Sequence, residues 1–181
     1  MAQARYSTGA IILHWLIAIA VIVNWRIAEA GEHAAMPEKM EIMNQHKALG
    51  MIILALTVLR LGWRLANRPP ALAGTLKTWE AHLARAVHLL FYILLIGLPL
   101  GGWLANSAFG QGVSIFGLFT VPALPIASNP DLGERIFGLH AAGGTVMLAL
   151  IALHIAGALK HQLIDRDGNL YRMLPFGAPK A

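Results

Sequence analysis

Four long apolar segments, separated by more polar stretches, dominate the pattern of this chain. They cover about 9–27, 47–65, 86–105 and 136–159. Each is close to the roughly 20 residues that a helix needs to cross a bilayer. The pattern predicts an all-α membrane protein: a bundle of four transmembrane helices forming a single domain over residues 1–181.

The connections carry weaker predictions. The stretch 106–135 is rich in Gly and Pro, and its apolar centre is too short to span, so we expect it to lie on the outer surface or to cap the bundle. Pro99 predicts a kink or an early end of the third helix. We expect 76–85 to form a short interfacial helix that runs into the third segment, and the tail after Asp165 to lie against the inner face.

Composition supports a membrane protein and excludes several other classes. The chain is 57% hydrophobic and 13% charged, with a mean hydropathy of +0.60, whereas soluble domains are roughly a quarter charged. The absence of cysteine excludes thiolate-held iron–sulfur clusters, disulfides and covalent c-type haem attachment. The net charge of +5 comes from basic residues that flank the apolar segments, so it predicts membrane topology and no nucleic-acid partner.

The distribution of Lys and Arg predicts the orientation. These residues concentrate before the first segment, between the second and third, and in the tail. The positive-inside rule therefore places both termini in the cytoplasm. Although Ala28–Glu29–Ala30 resembles a signal cleavage site, the preceding apolar run is longer than a signal core, and we expect it to remain as a span.

Histidines inside the apolar segments are the main functional signal, since ionisable residues at membrane depth are costly. His140 and His154 are 14 residues apart on the fourth segment, so their rings leave the same helix face about 21 Å apart along the axis. The topology places His14 with His154 at the inner level and His46 with His140 at the outer level. The sequence thus predicts two levels, each with two imidazoles.

Haem iron suits such pairs best. Structural zinc usually takes four protein ligands, and a closed two-histidine copper site lacks ligands. Haem iron needs two axial ligands because the porphyrin supplies four nitrogens. Gly50 and Gly144 follow His46 and His140 by one turn and leave space for a flat macrocycle. A metal-ion transporter, or a structural bundle with histidines as hydrogen-bonding groups, remains as an alternative.

The pattern resembles the bacterial cytochrome b561 family over nearly the whole chain. The matching features are His14-Trp15, His46, His88, Leu98-Pro99, the 14-residue spacing of His140 and His154, and the tail DRDGNLYRMLP at 165–175. The resemblance implies a four-helix cytochrome of the bacterial inner membrane. It also implies two b haems, one ligated by His14 with His154 and the other by His46 with His140.

The resemblance further implies electron transfer between an outer-face donor and ubiquinone in the membrane. Superoxide is the favoured donor, which would make the protein a superoxide:ubiquinone oxidoreductase. Cationic residues that could steer superoxide are nevertheless scarce in the predicted outer regions. The alternative is an anchor cytochrome that receives electrons from an iron–sulfur partner in a hydrogenase or dehydrogenase.

Two histidines are candidates for a quinone site. His161 lies seven residues after His154 and shares its helix face. A superoxide-oxidising family member has a quinone-contacting histidine at the matching position, so the resemblance implies this role for His161. An interfacial residue reaching for water is the alternative. His88, at the inner level, is expected to line the same pocket, to bond a haem propionate or to serve in packing.

The remaining polar residues have less specific roles. Arg60, Arg64 and Lys160 lie where inner haem propionates would need donors, or they anchor the topology. His82 is expected at the interface and His33 in a solvated loop.

Overall fold

The computed structural model describes residues 5–71 and 76–177, and four long helices make up most of them. All four are long and apolar enough to cross a membrane, which confirms the predicted all-α four-helix membrane bundle. Each helix extends beyond its predicted apolar segment because the polar flanking turns continue it. The helices are α1 (Thr8–His33), α2 (Glu38–Ala66), α3 (Thr78–Ala108) and α4 (Pro130–Lys160).

The helix ends show why the elements start and stop where they do. The Asn129 side chain accepts a hydrogen bond from the Leu132 amide at 3.0 Å, and Pro130 occupies the first helical turn of α4. This is a favourable start because the proline has no amide to leave unpaired. The early end of α3 predicted at Pro99 is wrong, since the helix continues to Ala108. Prolines are tolerated within membrane helices when neighbours satisfy the freed backbone groups.

The helices pack unevenly around the bundle. The close pairs are α1 with α2, α2 with α3, and α3 with α4. Gly143 permits the α3–α4 approach, because a Cβ there would stand 2.6 Å from Cδ2 of Leu98. Over the described residues, the α4 backbone stays mostly apart from those of α1 and α2. Side chains that meet between α4 and these two helices therefore bridge a gap.

One buried residue from each helix meets in the middle of the bundle. These side chains fill the gap between the helices, and their van der Waals contacts stabilise the bundle, since lipid supplies no hydrophobic driving force between membrane helices. Met147 lies midway along α4, seven residues from each histidine of that helix. We call this set the apolar layer, and its members are Ile17, Ile53, Leu95 and Met147.

A β-hairpin, which the sequence analysis did not predict, lies between α3 and α4. It pairs β1 (Val113–Ile115) with β2 (Phe119–Val121) in antiparallel register. The buried side chains of β1 pack on Ala48 of α2. The Trp103 indole N–H donates to the Pro122 carbonyl at 3.0 Å and attaches the hairpin to α3. We call this side of the bundle the hairpin end.

At the opposite side, the tail of the chain turns back. After α4 comes one turn of π-helix (His161–Asp165), followed by a 3₁₀ turn (Asn169–Arg172). Arg166 and Gly168 between them have φ values of 51° and 72°. This left-handed backbone reverses the chain direction, and Gly168 adopts it without a Cβ penalty.

The tail is fixed to the bundle by hydrogen bonds to two distant parts of the chain. The Trp15 indole N–H donates to the Met173 carbonyl at 2.8 Å. The buried Arg172 guanidinium donates to the Ala71 carbonyl at 2.6 Å. These contacts place the tail against one end of the bundle. We call this side the tail end.

Candidate functional site

Four histidines meet in two pairs, one at each end of the bundle. At the hairpin end, the ring centres of His46 and His140 are 5.9 Å apart and their planes make an angle of 85°. At the tail end, those of His14 and His154 are 6.2 Å apart, at 72°. These are the combinations expected from the predicted levels. All four rings are partly buried and each faces its partner across the gap beside α4.

The hairpin-end pair is held by backbone carbonyls. His46 Nδ1 is 3.1 Å from the Asn24 carbonyl oxygen, and His140 Nδ1 is 2.9 Å from that of Leu98. A carbonyl can only accept, so each Nδ1 carries a hydrogen and donates. The lone pair of each ring is then on Nε2, which is the usual arrangement of a metal-binding imidazole.

A glycine of α3 lies against one of these rings. A Cβ on Gly102 of α3 would stand 3.4 Å from Cε1 of His140 and 3.5 Å from its Nδ1. These are ordinary van der Waals distances, so an alanine would fit here in contact with the ring.

The tail-end pair has a cation beside it. Nη1 of Arg60 lies 3.2 Å from Nδ1 of His14. A guanidinium can only donate, so in this contact the histidine nitrogen accepts and the ring hydrogen is on Nε2. For His14 to bind a metal through Nε2, that hydrogen would move to Nδ1, and Arg60 would then be a neighbouring positive charge and not a hydrogen-bond donor. His154 also has His88 and Phe91 as neighbours, with ring centres at 5.8 and 5.5 Å. Side chains therefore surround this pair, whereas backbone carbonyls hold the pair at the hairpin end.

The spacing within each pair fits one metal ion between two imidazoles. A metal–imidazole bond is about 2.0 Å, and a ring nitrogen lies about 1.1 Å from its ring centre. Two ligands on opposite sides of one iron would then have ring centres about 6.2 Å apart. Directly hydrogen-bonded rings would be nearer, at about 5.1 Å. In the described part of the chain, no hydrogen bond joins the rings of either pair.

The space beside the hairpin-end pair suits a flat group. A Cβ on Gly144 would meet no heavy atom within 4 Å, and one on Gly50 would reach only Nδ2 of Asn24, at 3.7 Å. Asn24 is buried, and its side-chain oxygen has no hydrogen-bond partner among the described residues. Two facing imidazoles, small residues and an unsatisfied polar atom together fit a porphyrin.

His161 lies in a separate charged cluster at the tail end. Its Nδ1 is 2.9 Å from a carboxylate oxygen of Asp165 and 2.9 Å from one of Asp167. Lys160 bridges Asp165, at 2.7 Å, and Glu80 of α3, at 2.6 Å. The expectation that Lys160 serves a propionate finds no support here, because two carboxylates already engage its ammonium.

The other predicted residues fall outside the two pairs. His82 is exposed, and His33 is exposed at the last position of α1 instead of lying in a loop. The Arg64 guanidinium lies 5.9 Å from the ring centre of Tyr92. Sequence reasoning missed the contact between Arg60 and His14. The signal was available, because Arg60 follows His46 by 14 residues and so shares its face of α2 one level lower.

Comparison with known proteins decides the family. The sequence model of the prokaryotic cytochrome b561 family matches residues 5–176. The chain belongs to this family. Cytochrome b561 homolog 2 of Escherichia coli K12 is 32% identical over 178 residues, covering 94% of this chain and 91% of the relative. Membership confirms the predicted resemblance and indicates b-type haem and transmembrane electron transfer.

Two further relatives of this b561-family chain are similar over nearly their full length. The probable superoxide oxidase CybB of Yersinia pestis is 28% identical over 171 residues, which cover 94% of this chain and 96% of the relative. Cytochrome b562 of Cereibacter sphaeroides ATCC 17023 is 29% identical over 178 residues, with 95% and 96% coverage. The relatives described here thus include two named as cytochromes and one named as a probable superoxide oxidase.

Proposed function

We propose that this protein carries electrons across the bacterial inner membrane through two b haems. His46 and His140 would ligate one haem, and His14 and His154 the other. The observation that carries the proposal is the pair of facing imidazoles at each end, at the ring spacing that one iron requires. A haem supplies reversible one-electron chemistry, and two histidine ligands leave no open position for oxygen activation.

The protein's own residues supply position and insulation. The carbonyls of Asn24 and Leu98 fix the orientation of two imidazoles, and such contacts also raise ligand basicity. The apolar layer separates the two pairs, which lie about 21 Å apart along α4. The distance between macrocycle edges is shorter because each porphyrin is wide.

A spectrum and an electron paramagnetic resonance measurement test the haem assignment. The purified protein should contain two haems per chain and show sharp absorption bands on reduction. Ring planes at 72° and 85° should give a strongly anisotropic low-spin ferric signal, because perpendicular imidazoles leave two iron d orbitals nearly equal in energy. A colourless preparation from cells supplied with iron and porphyrin precursors would contradict the proposal and favour a metal transporter or a structural bundle.

We place the tail end in the cytoplasm and the hairpin end outside. The support is the excess of Lys and Arg in the N-terminal segment, the α2–α3 connection and the tail. A reporter enzyme that works only in the cytoplasm should therefore be active when it is fused to the C-terminus. A reporter that works only outside the cytoplasm should be inactive there.

Ubiquinone is the proposed acceptor, at the tail end beside His161. This ring follows His154 on the same side of α4, and two carboxylates hold its Nδ1. When both ring nitrogens carry a hydrogen, Nε2 can donate to a quinone carbonyl and pass a proton to it. Each quinone takes up two electrons and two protons to form quinol. His88 lies on α3 beside His154 and is the second candidate for this pocket.

Superoxide is the proposed donor, in line with the name of the Yersinia relative. Its oxidation to dioxygen releases one electron, so two superoxide ions supply one quinone. Superoxide fed to purified protein with ubiquinone should reduce the haems and form quinol above the uncatalysed rate, and superoxide dismutase should abolish the signal. Rates that equal those of a haem-free preparation would contradict superoxide as the donor.

A docked redox protein is the second candidate donor, as for an anchor cytochrome. The observation that favours it is the hairpin turn, where Phe116, Leu118 and Phe119 are 55%, 81% and 59% exposed. Exposed apolar clusters often mark interaction surfaces. An iron–sulfur dehydrogenase or hydrogenase that co-purifies in mild detergent, and reduces the haems directly, would favour this donor over superoxide.

A further inference from the structure

The two histidine pairs differ in the group that faces the outer nitrogen of a proposed iron ligand. At the hairpin end, both Nδ1 atoms donate to backbone carbonyls, those of Asn24 and Leu98. At the tail end, the Arg60 guanidinium faces Nδ1 of His14 at 3.2 Å. One end thus presents the negative ends of peptide dipoles to its ligands, and the other presents a full positive charge.

This difference affects the two oxidation states of a haem unequally. Adding an electron to an iron porphyrin removes one unit of positive charge, so a nearby cation favours the reduced form. A carbonyl that accepts from the ligand makes the imidazole more electron-donating and favours the oxidised form. Both effects are stronger in the interior of a membrane bundle than in water.

A haem propionate could pair with Arg60, but both haems would carry propionates, so the charge that distinguishes the two ends is that of Arg60. Within residues 5–71 and 76–177, no carboxylate lies at ion-pair distance from its guanidinium. Arg64, whose guanidinium lies over Tyr92, adds a second cation on the same helix. The nearby Lys160 contributes little net charge because Glu80 and Asp165 pair with it.

The hairpin end also has a cation nearby, but it affects the proposed ligands less than Arg60 does. Lys47 follows His46 directly on α2. Neighbouring helical residues point about 100° apart, so the Lys47 side chain leaves the helix away from the direction of the imidazole. Among the described residues, no hydrogen bond or ion pair joins Lys47 to either ring of that pair. Its effect is therefore weaker than that of an arginine in contact with a ligand.

We propose that Arg60 raises the midpoint potential of the haem at the tail-end pair above that of the haem at the hairpin-end pair. Arg60 would then act through its charge beside His14, and electron transfer from the haem at the hairpin end to the haem at the tail end would be favourable in free energy. That step would transfer one electron between the two haems, with no proton transferred. The inference rests on the proposed function, because it requires both haems.

A redox titration of the purified protein tests the order of the potentials. The wild type should titrate in two components, and His46→Ala, which should keep only the tail-end haem, should retain the higher one. The opposite order would overturn the inference while leaving the two-haem function intact. A wild type without haem would overturn the proposed function itself, so the two failures are distinguishable.

Three substitutions test the role of Arg60. Arg60→Gln should lower the higher potential and reduce the separation of the components, whereas Arg60→Lys should keep most of it because the charge remains. Lys47→Gln is the matched control at the other end, and it should leave the higher potential unchanged. Equal shifts of both components in Arg60→Gln, or no shift of either, would overturn the inference. Arg60→Lys provides a folded comparison if the glutamine variant is unstable.

Discussion

The two ends of this bundle use the same residue type at similar spacing, but they hold it by different means. At the hairpin end, peptide carbonyls fix both rings and glycines leave open space beside them. At the tail end, an arginine, a third histidine and a phenylalanine surround the pair. Backbone contacts depend little on side-chain identity, whereas side-chain contacts can be changed by single substitutions. The comparison teaches that a shared ligand set can be given different electronic surroundings by its neighbours.

Removing one proposed ligand should have the largest effect. It tests directly whether the histidines bind haem in the proposed pairs. His140→Ala or His46→Ala should lose one haem of two and spare the other, because each removes one of two axial ligands. His33→Ala, at an exposed position, is the control and should lose neither. The haem-to-protein ratio from a pyridine haemochrome assay measures the result. Loss of both haems, or of neither, from one ligand change would contradict the pairing.

Filling the space beside one pair should have the next largest effect. Gly144→Val places methyl groups where a Cβ now meets nothing within 4 Å, one turn from His140. We expect the hairpin end to lose most of its haem, with the tail-end haem retained. Gly62→Val on α2 is the matched control, since that glycine also faces open space but is exposed. The optical redox titration separates the two haems, and equal losses in both variants would contradict the prediction.

A smaller effect is expected from the carboxylates at the tail end. Asp167→Asn should slow quinone reduction roughly tenfold, because a charge-assisted hydrogen bond to His161 becomes a neutral one. Asp165→Asn should do less, since the side chain of Asp165 is 30% exposed and that of Asp167 only 3%, and water screens the more exposed charge. Haem content should be unchanged in both. Steady-state quinol formation is the measurement, and an unaffected rate in Asp167→Asn would rule out this role.

The smallest effects should come from a matched pair of tryptophans. Trp15 bonds the tail through Met173, and Trp103 bonds the hairpin through Pro122. Each Trp→Phe change removes one hydrogen bond worth about 1 kcal/mol, or roughly fivefold in an equilibrium constant. Trp15→Phe should weaken quinone use and leave haem reduction by the donor unchanged, and Trp103→Phe should do the reverse. The two half-reactions can be followed separately by stopped-flow absorbance.

Much of the architecture was predictable because membrane helices leave a strong signal. Long apolar segments located all four helices, and the spacing of His140 and His154 indicated two levels on one face. The helix ends were harder, because polar turns such as Glu38–Lys47 have no apolar pattern. The α3 end shows the limit of a local rule: Pro99 disfavours helix in isolation, but tertiary packing carries the helix on to Ala108.

The contacts made by the proposed ligands were less predictable. Backbone carbonyls such as those of Asn24 and Leu98 carry no residue-specific signal, and their position depends on how helices cross. The hairpin had a weak signal: β-branched residues flank Gly117, whose positive φ of 77° suits a tight turn. The contact of Arg60 with the tail-end pair had a clear signal in the sequence, because Arg60 follows His46 by 14 residues. A basic residue near a helix end, however, first suggests that it fixes the helix in the membrane.

The apolar layer has a consequence for the energetics of turnover. Four apolar side chains, one from each helix, offer no chain of hydrogen-bonding groups for protons between the two ends. With the proposed orientation, an electron that moves inward crosses without a compensating proton, and the protons for quinol come from the cytoplasmic side. Turnover is then electrogenic: each electron moves against an inside-negative voltage, at about 2.3 kcal/mol for every 100 mV across the full membrane.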